Sequence, residues 1–321
     1  LVGVEPGQVT FTGSGSEALN QALRTLVGVG ALAVASAVEH PAVLAALESL
    51  EAERGARVSL APVDAHGRLE LTLLPPLLEP HPAVFCLQAA QNEVGTLQPV
   101  AEAGALAADA EVPFLLDASQ AIGRVDHAWR DLPWDYLVIS GHKLRAPRGA
   151  AALVHRGRAP EPRPLILGGA QERGRRAGTE PVAPIVALGE ACRLVAAGEL
   201  LDAAALEAER DWFEGALTAA IPGGVVVGQV VPRLPHTTLF AIPGARSEAL
   251  LAQLDLAGIS ASAGSACSSG ALERSHVLEA MGVPEAWIAG RVRFSFGPET
   301  TRAELERAVE VLAAAVERCR G

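Results

Sequence analysis

The chain has 321 residues, 50% of them hydrophobic, and a formal net charge of -11, which is enough apolar material for a large core and enough length for two domains. The acidic balance argues against nucleic acid as a partner: the one dense basic run, Arg173 to Arg176, is short and lacks the interleaved aromatics of a stacking surface. The longest uncharged apolar run, Leu26 to Val38, is too short for a membrane span and contains Gly28 and Gly30, so no membrane partner is expected either.

In chain order, short β-type runs alternate with helical ones through the first two thirds, the pattern of a mostly parallel sheet covered by helices. Thr12 to Ser16 opens a helix over Glu17 to Leu26, Ala31 to Ser36 reads as a strand, and Pro41 to Glu53 as a helix. Further strands are expected at Val58 to Pro62, Ala83 to Gln88, Pro113 to Asp117, Tyr136 to Ser140 and Ala150 to His155. Polar residues gather at their C-terminal ends, where open α/β sheets bind ligands, so Asn92, Asp117, Gln120 and the Ser140 to Lys143 turn are expected to converge on one crevice. An Ala-rich helical stretch over Ile185 to Ala220 then leads to a smaller α+β region: a strand at Thr237 to Ile242, a helix at Ser247 to Ala257, a strand at Arg291 to Phe296 and a closing helix at Arg302 to Arg318. The expected organisation is a large α/β domain over 1–199 and a smaller α+β domain over 200–321.

The four cysteines, Cys86, Cys192, Cys267 and Cys319, are scattered without zinc or disulfide spacing, which fits a reducing, cytoplasmic compartment. Cys86 and Cys192 lie among apolar neighbours, as buried structural cysteines do, whereas Cys267 stands in the small-residue run Ser262 to Gly270, which reads as a mobile loop. No basic leader opens the chain, and Leu1 enters at once into a patterned segment, so an incomplete or processed N-terminus is expected.

Lys143 is the only lysine, arginine supplying every other strong positive side chain. A sequence that writes arginine nearly everywhere is expected to keep lysine where guanidinium cannot serve, above all where a neutral amine must form an imine. Asp117, at the end of an apolar strand, offers a carboxylate for a cofactor ring nitrogen, and the Gly13 to Ser16 loop entering a helix offers amides and a hydroxyl to a phosphate. Read alone, each has a plainer role: a surviving surface lysine, a turn former, a helix cap.

Taken together, the motifs resemble the cysteine desulfurases of the class-V aminotransferase group, fold-type I pyridoxal-phosphate enzymes. They are Phe11-Thr12-Gly13-Ser14-Gly15-Ser16-Glu17, Glu39-His40, Gln91-Asn92-Glu93-Val94-Gly95, Asp117-Ala118-Ser119-Gln120, Ser140-Gly141-His142-Lys143, the stretch from Gly168 to Thr179, Gly264-Ser265-Ala266-Cys267 and Arg291-Val292-Arg293. Their order runs nearly end to end. The resemblance implies that Lys143 holds pyridoxal 5'-phosphate and moves the substrate's Cα proton. His40 would stack on the ring and count with Lys143 and Cys267 as catalytic. Asp117 would pair with the ring nitrogen and Gln120 with the phenolic oxygen, while Gly15, Ser16, Ser140, His142 and, from the other subunit of a homodimer, Thr179 would hold the phosphate. Asn92 would lie near ring and substrate, and Arg293 would grip the substrate carboxylate with a planar fork.

The implied reaction converts L-cysteine to L-alanine, with a persulfide on Cys267 passed to an acceptor protein for iron-sulfur assembly or other sulfur trafficking. Alternatives are a selenocysteine lyase or other class-V enzyme of the same fold, and a non-catalytic sulfur-transfer scaffold. Several positions depart from the family pattern: Ser16 stands for a more usual threonine, Gln91, Ala170 and Ala177 for Asn, Gly and Ser, and Arg145 to Arg148 for an aromatic-Gly-Pro-Lys run. The family's N-terminal arm is not found before Leu1. The remaining histidines, His66, His81, His127, His155, His236 and His276, show no metal or catalytic spacing.

Overall fold

The computed structural model describes residues 1–157, 159–264 and 274–320. Two compact units are formed: Leu1–Pro62, Leu69–Ala90 and Gln98–Leu201 make the first, and Val63–Arg68, Gln91–Leu97 and Asp202–Gly321 the second.

The first unit is built on a seven-stranded sheet of β1 (Val9–Thr12), β2 (Leu32–Ser36), β3 (Arg57–Ala61), β4 (Val84–Gln88), β5 (Phe114–Asp117), β6 (Tyr136–Ser140) and β7 (Ala151–His155), in the order β1-β7-β6-β5-β4-β2-β3. Strands β2 to β6 pair in parallel, whereas β7 runs antiparallel to both β6 and β1. Strands β4 to β7 are buried at every residue, which explains their continuous apolar runs without alternation. Crossovers and flanks are supplied by α1 (Gly15–Leu26), α2 (Pro41–Arg54), α3 (Pro75–Leu78), α4 (Val100–Asp109), the kinked turn α5 (Gln171–Gly174) and α6 (Val182–Ala196). Ala18, Leu19, Ala22 and Leu23 of α1 pack with Val43, Leu47 and Leu50 of α2 against Ala33, Ala35, Val84 and Cys86 of the sheet. The 3.6-residue spacing of these apolar positions is what puts each helix on the sheet.

Register decides where the ligand edge lies. Gln88 pairs with Asp117, and Ser140 faces Ala151, which also faces Thr12. The loops that follow β1, β4, β5 and β6 therefore all leave the same edge of the sheet, the C-terminal edge of its parallel strands.

The second unit holds α7 (Ala203–Ala220), β8 (Val225–Val226), β9 (Thr237–Ala241), α8 (Ser247–Leu256), α9 (His276–Ala280), α10 (Glu285–Ala289), β10 (Arg291–Ser295) and α11 (Arg302–Arg320). Its antiparallel sheet, β10-β9-β8, packs Phe240 and Val292 against Phe213 and Leu217 of α7, Leu250 and Leu254 of α8, and Leu312 of α11. Arg233 and Glu214, each 2% exposed, form a two-pronged ion pair at 2.7 Å in both bonds.

The continuous helical stretch expected over Ile185 to Ala220 is instead two helices. Gly198 adopts φ 69 just past α6, and the Glu199 amide donates to the Leu194 carbonyl at 2.8 Å, a glycine C-terminal stop that closes α6. Asp202 then starts α7 by accepting from the Ala205 amide at 3.0 Å, so the last crossing between the units, from Leu201 to Asp202, falls between a helix stop and a helix start.

Candidate active site

Helix α1 begins at Gly15. Ser14 caps it by accepting from the Glu17 amide at 3.1 Å, and the Gly15 and Ser16 amides, in the first turn, have no carbonyl one turn back to bind. A Cβ added at Gly15 would lie 3.4 Å from Ser119 Oγ and 3.5 Å from Ser140 Oγ, so two hydroxyls from the ends of β5 and β6 converge on that helix end. Ser140 Oγ is in turn 3.1 Å from His142 Nδ1. Partial desolvation, and after it the charges of Lys143, Arg148 and Arg124, push the His142 imidazole below its ordinary range, which leaves it neutral at physiological pH. Amides, hydroxyls and the positive end of a helix dipole form a cradle for an anion.

The cradle is braced from the segment that contains Thr179. Glu17 accepts from the Gly13 amide at 2.8 Å and pairs with Arg176 at 2.9 Å, while Glu172 accepts from the Phe11 amide at 2.9 Å. Glu172 and Arg173 are held at φ 50 and 59, a conformation that costs energy in non-glycine residues. Thr179 itself is exposed.

Asp117 ends β5, is 7% exposed, and accepts from the Ser119 amide at 2.9 Å through Oδ1. His40 caps α2, its Nδ1 accepting from the Ala42 amide at 3.1 Å, so the neutral ring carries its proton on Nε2. Glu39, next to His40 in the chain, is fully buried, and its Oε1 accepts from the Gln88 amide at 2.8 Å. Desolvation, with the nearby Asp117 charge adding to it, pushes the Glu39 carboxyl up to about 8. Lys143, half-buried, stands on the 3-10 turn Gly141–Leu144 that follows β6. Arg124, from the turn after β5, donates Nη1 to the Gln120 carbonyl at 3.0 Å and Nη2 to the Lys143 carbonyl. Gln120 lies beside it, half-buried.

Asn92, expected to join the crevice residues of the large domain, belongs to the second unit. There the Gln91 side chain accepts from the Glu93 and Val94 amides at 2.5 and 2.8 Å, closing a tight turn, and Gly95 adopts φ 83. Arg293 donates Nη1 to the Asn92 carbonyl at 2.9 Å and exchanges backbone bonds with Ser262. Glu93 Oε2 accepts from Ser275 Oγ at 2.7 Å, and a Cβ at Gly264 would lie 2.8 Å from that same oxygen. The turn thus holds both Arg293 and the flanks of the segment 265–273. Cys267 lies outside the described residues.

Sequence reasoning left Ser119, Glu39, Arg124, Gln91 and Glu93 without roles. All but Arg124 stand inside the quoted motifs, so their positions were visible while their partners were not; Arg124 carries no local signal. Cys86 is buried, and burial, followed by the Glu39 charge, raises its thiol well above the ordinary range, while Cys192 is only half-buried. Among the described residues no group of His, Cys, Asp and Glu could hold a metal ion, and no helix is long and apolar enough to cross a membrane.

The donor set of the first unit fits pyridoxal phosphate: amides and hydroxyls at Gly15, Ser119 and Ser140, a carboxyl at the end of β5, and an amine on the adjoining turn. The family model for class-V aminotransferases matches residues 1–308. A cysteine desulfurase of Gluconacetobacter diazotrophicus is 43% identical over 97% of this chain and 79% of its own length, and one from a Nostoc strain is 41% identical over 100% of this chain and 80% of its own. Among solved structures a NifS-like protein superposes with a TM-score of 0.88 at 30% identity, covering 99% of this chain and 84% of that one. By the family model, the relatives and the α/β architecture together, this chain belongs to the class-V aminotransferase family and has the fold of the type I pyridoxal-phosphate enzymes.

Proposed function

We infer that the chain is a pyridoxal-phosphate-dependent cysteine desulfurase, converting L-cysteine to L-alanine. The observation that carries this reading is the single lysine, Lys143, on a turn whose preceding residue, Ser140, meets the α1 helix end at Gly15. Pyridoxal phosphate, when bound, supplies an electron-sink ring that lets charge develop at the substrate's Cα.

The chain's own residues do the rest. Gly15, Ser16, Ser119, Ser140 and His142 would hold the phosphate, with Thr179 reaching the other subunit's site in a homodimer. Asp117 would pair with the ring nitrogen, Gln120 would bond the phenolic oxygen, and His40 would stack on the ring. Asn92 borders ring and substrate, and Arg293 binds the substrate carboxylate, its guanidinium already oriented by the Asn92 carbonyl. Lys143 Nζ takes the Cα proton as a neutral amine. The Cys267 thiolate attacks the substrate sulfur; the S–S bond forms as the Cβ–S bond breaks, the electron pair returns to carbon, and a proton completes the methyl group of alanine. The persulfide then passes to an acceptor protein in the cytoplasm, for iron-sulfur assembly or another sulfur route.

Purified protein loaded with pyridoxal phosphate is expected to be yellow and to form alanine and persulfide sulfur from L-cysteine. Lys143→Ala should remove both colour and turnover, and Cys267→Ser should keep the colour and lose alanine formation. A yellow protein that forms no alanine from L-cysteine would overturn the reading.

A further inference from the structure

We propose that Arg124 is the positioning residue for Lys143, a guanidinium clamp that locks the lysine turn to the turn after β5. The proposal relies on the reading above only in making Lys143 the cofactor lysine.

The turn that presents Lys143 is four residues long; the amides of Arg145 and Ala146 close on its His142 and Gly141 carbonyls at 3.3 and 3.1 Å, whereas the Lys143 carbonyl accepts from Arg124 of the neighbouring turn. It ends at Arg145 with φ 66, a left-handed conformation that a non-glycine residue does not choose by itself. Contacts from the neighbouring turn add to these bonds. Two consecutive residues of the neighbouring turn meet two consecutive residues of this one. Gly123, at φ 76, lies so close that an added Cβ would sit 2.7 Å from Leu144 Cδ2, and Arg124 donates to the carbonyl of Lys143 while its other nitrogen donates to the carbonyl of Gln120 at 3.0 Å. Desolvation lowers the Arg124 guanidinium to about 10, which still leaves it charged at neutral pH. Because the fork is planar and rigid, its two bonds fix the spacing of the two carbonyls. The Gln120 turn and the Lys143 turn are thereby held in one register, and the direction in which Nζ leaves the backbone follows from it. A lysine at position 124 would keep the charge but, as a point donor, would not reproduce a two-carbonyl spacing.

The test separates the cradle from the lysine. Pyridoxamine phosphate fills the cradle but has no aldehyde for Lys143, whereas pyridoxal phosphate is captured when the amine nitrogen bonds its aldehyde carbon and one water leaves. With the cofactor-free chain, Arg124→Met is expected to slow capture, read as growth of the visible absorbance band, by at least about tenfold, the worth of one charge-assisted hydrogen bond. Pyridoxamine phosphate affinity should stay within about twofold, and Arg124→Lys should fall between wild type and Arg124→Met. Capture unchanged in both variants overturns the proposal, and so does an equal loss for the two ligands, which would mark Arg124 as general scaffolding. If Arg124→Met does not fold, Arg124→Lys decides alone: capture at the wild-type rate overturns the proposal, and slowed capture with unchanged pyridoxamine phosphate binding supports it. A wild-type chain that captures pyridoxal phosphate but makes no alanine defeats the desulfurase reading and leaves this test standing; one that captures none overturns both.

Discussion

Gly15→Ala should move cofactor affinity and folding stability in opposite directions. The added methyl group would enter the cradle 3.4 Å from Ser119 Oγ and Ser140 Cβ and 3.5 Å from Ser140 Oγ, distances of ordinary contact, so nothing in the fold has to give way. Gly15 is the first residue of α1 and takes no left-handed conformation, and alanine at such a position stabilises by about 0.4–1 kcal/mol through the unfolded chain. The space it takes is the space in which an anion would sit against the helix end and the two hydroxyls. Losing one charge-assisted hydrogen bond there costs about 1.5–3 kcal/mol, roughly 10- to 150-fold in Kd. Equilibrium binding of pyridoxal phosphate and urea denaturation of the cofactor-free chain measure the two quantities separately. Unchanged affinity in a folded variant would refute the assignment of the cradle to the phosphate; lost affinity together with lost stability would refute the claim that the methyl group fits.

Glu39→Gln tests the buried carboxyl that feels the charge of Asp117. The folded protein holds that proton up to about pH 8, whereas the ordinary value is 4.5, so between these limits the native state binds more protons than the unfolded state and wild-type stability falls as pH rises. The amide can still accept from the Gln88 backbone, so the variant should lose this pH dependence, gaining on wild type from pH 5 to pH 8 by up to about 1.4 kcal/mol per pH unit; parallel pH profiles of the urea midpoint would count against a protonated Glu39. In the second unit, Arg233→Met strands Glu214, which is 2% exposed, and should cost about 3–5 kcal/mol. Adding Glu214→Leu should restore most of that loss, and a double variant no more stable than the single one would show that the arginine acts otherwise.

Much of the fold was legible in the sequence because its signals are local. Apolar runs bounded by turn residues mark β4 to β7, and the apolar spacing of α1 and α2 marks helices with one buried face. The break between α6 and α7 was equally local, with Gly198 as stop and Asp202 as start, but alanine continues the helical composition across it and masks the signal. The motifs placed Gly15, His40, Asp117, Ser140 and Lys143 at the ends of elements, and parallel pairing brings the ends of β5 and β6 to one edge.

Contacts between distant residues could not be read in this way. That Arg124 meets Lys143, that the Asp117 charge acts on Glu39, that Glu93 reaches Ser275 across 182 residues, and that Asn92 and its turn join the second unit depend on strand order and register. No spacing along the chain encodes these, because a hydrogen bond between distant residues exists only once the backbone has brought them together. Residue types and element ends are local properties and were determined by the sequence itself, whereas the partner of each side chain, and with it the charge and orientation of the site groups, was decided by the tertiary structure.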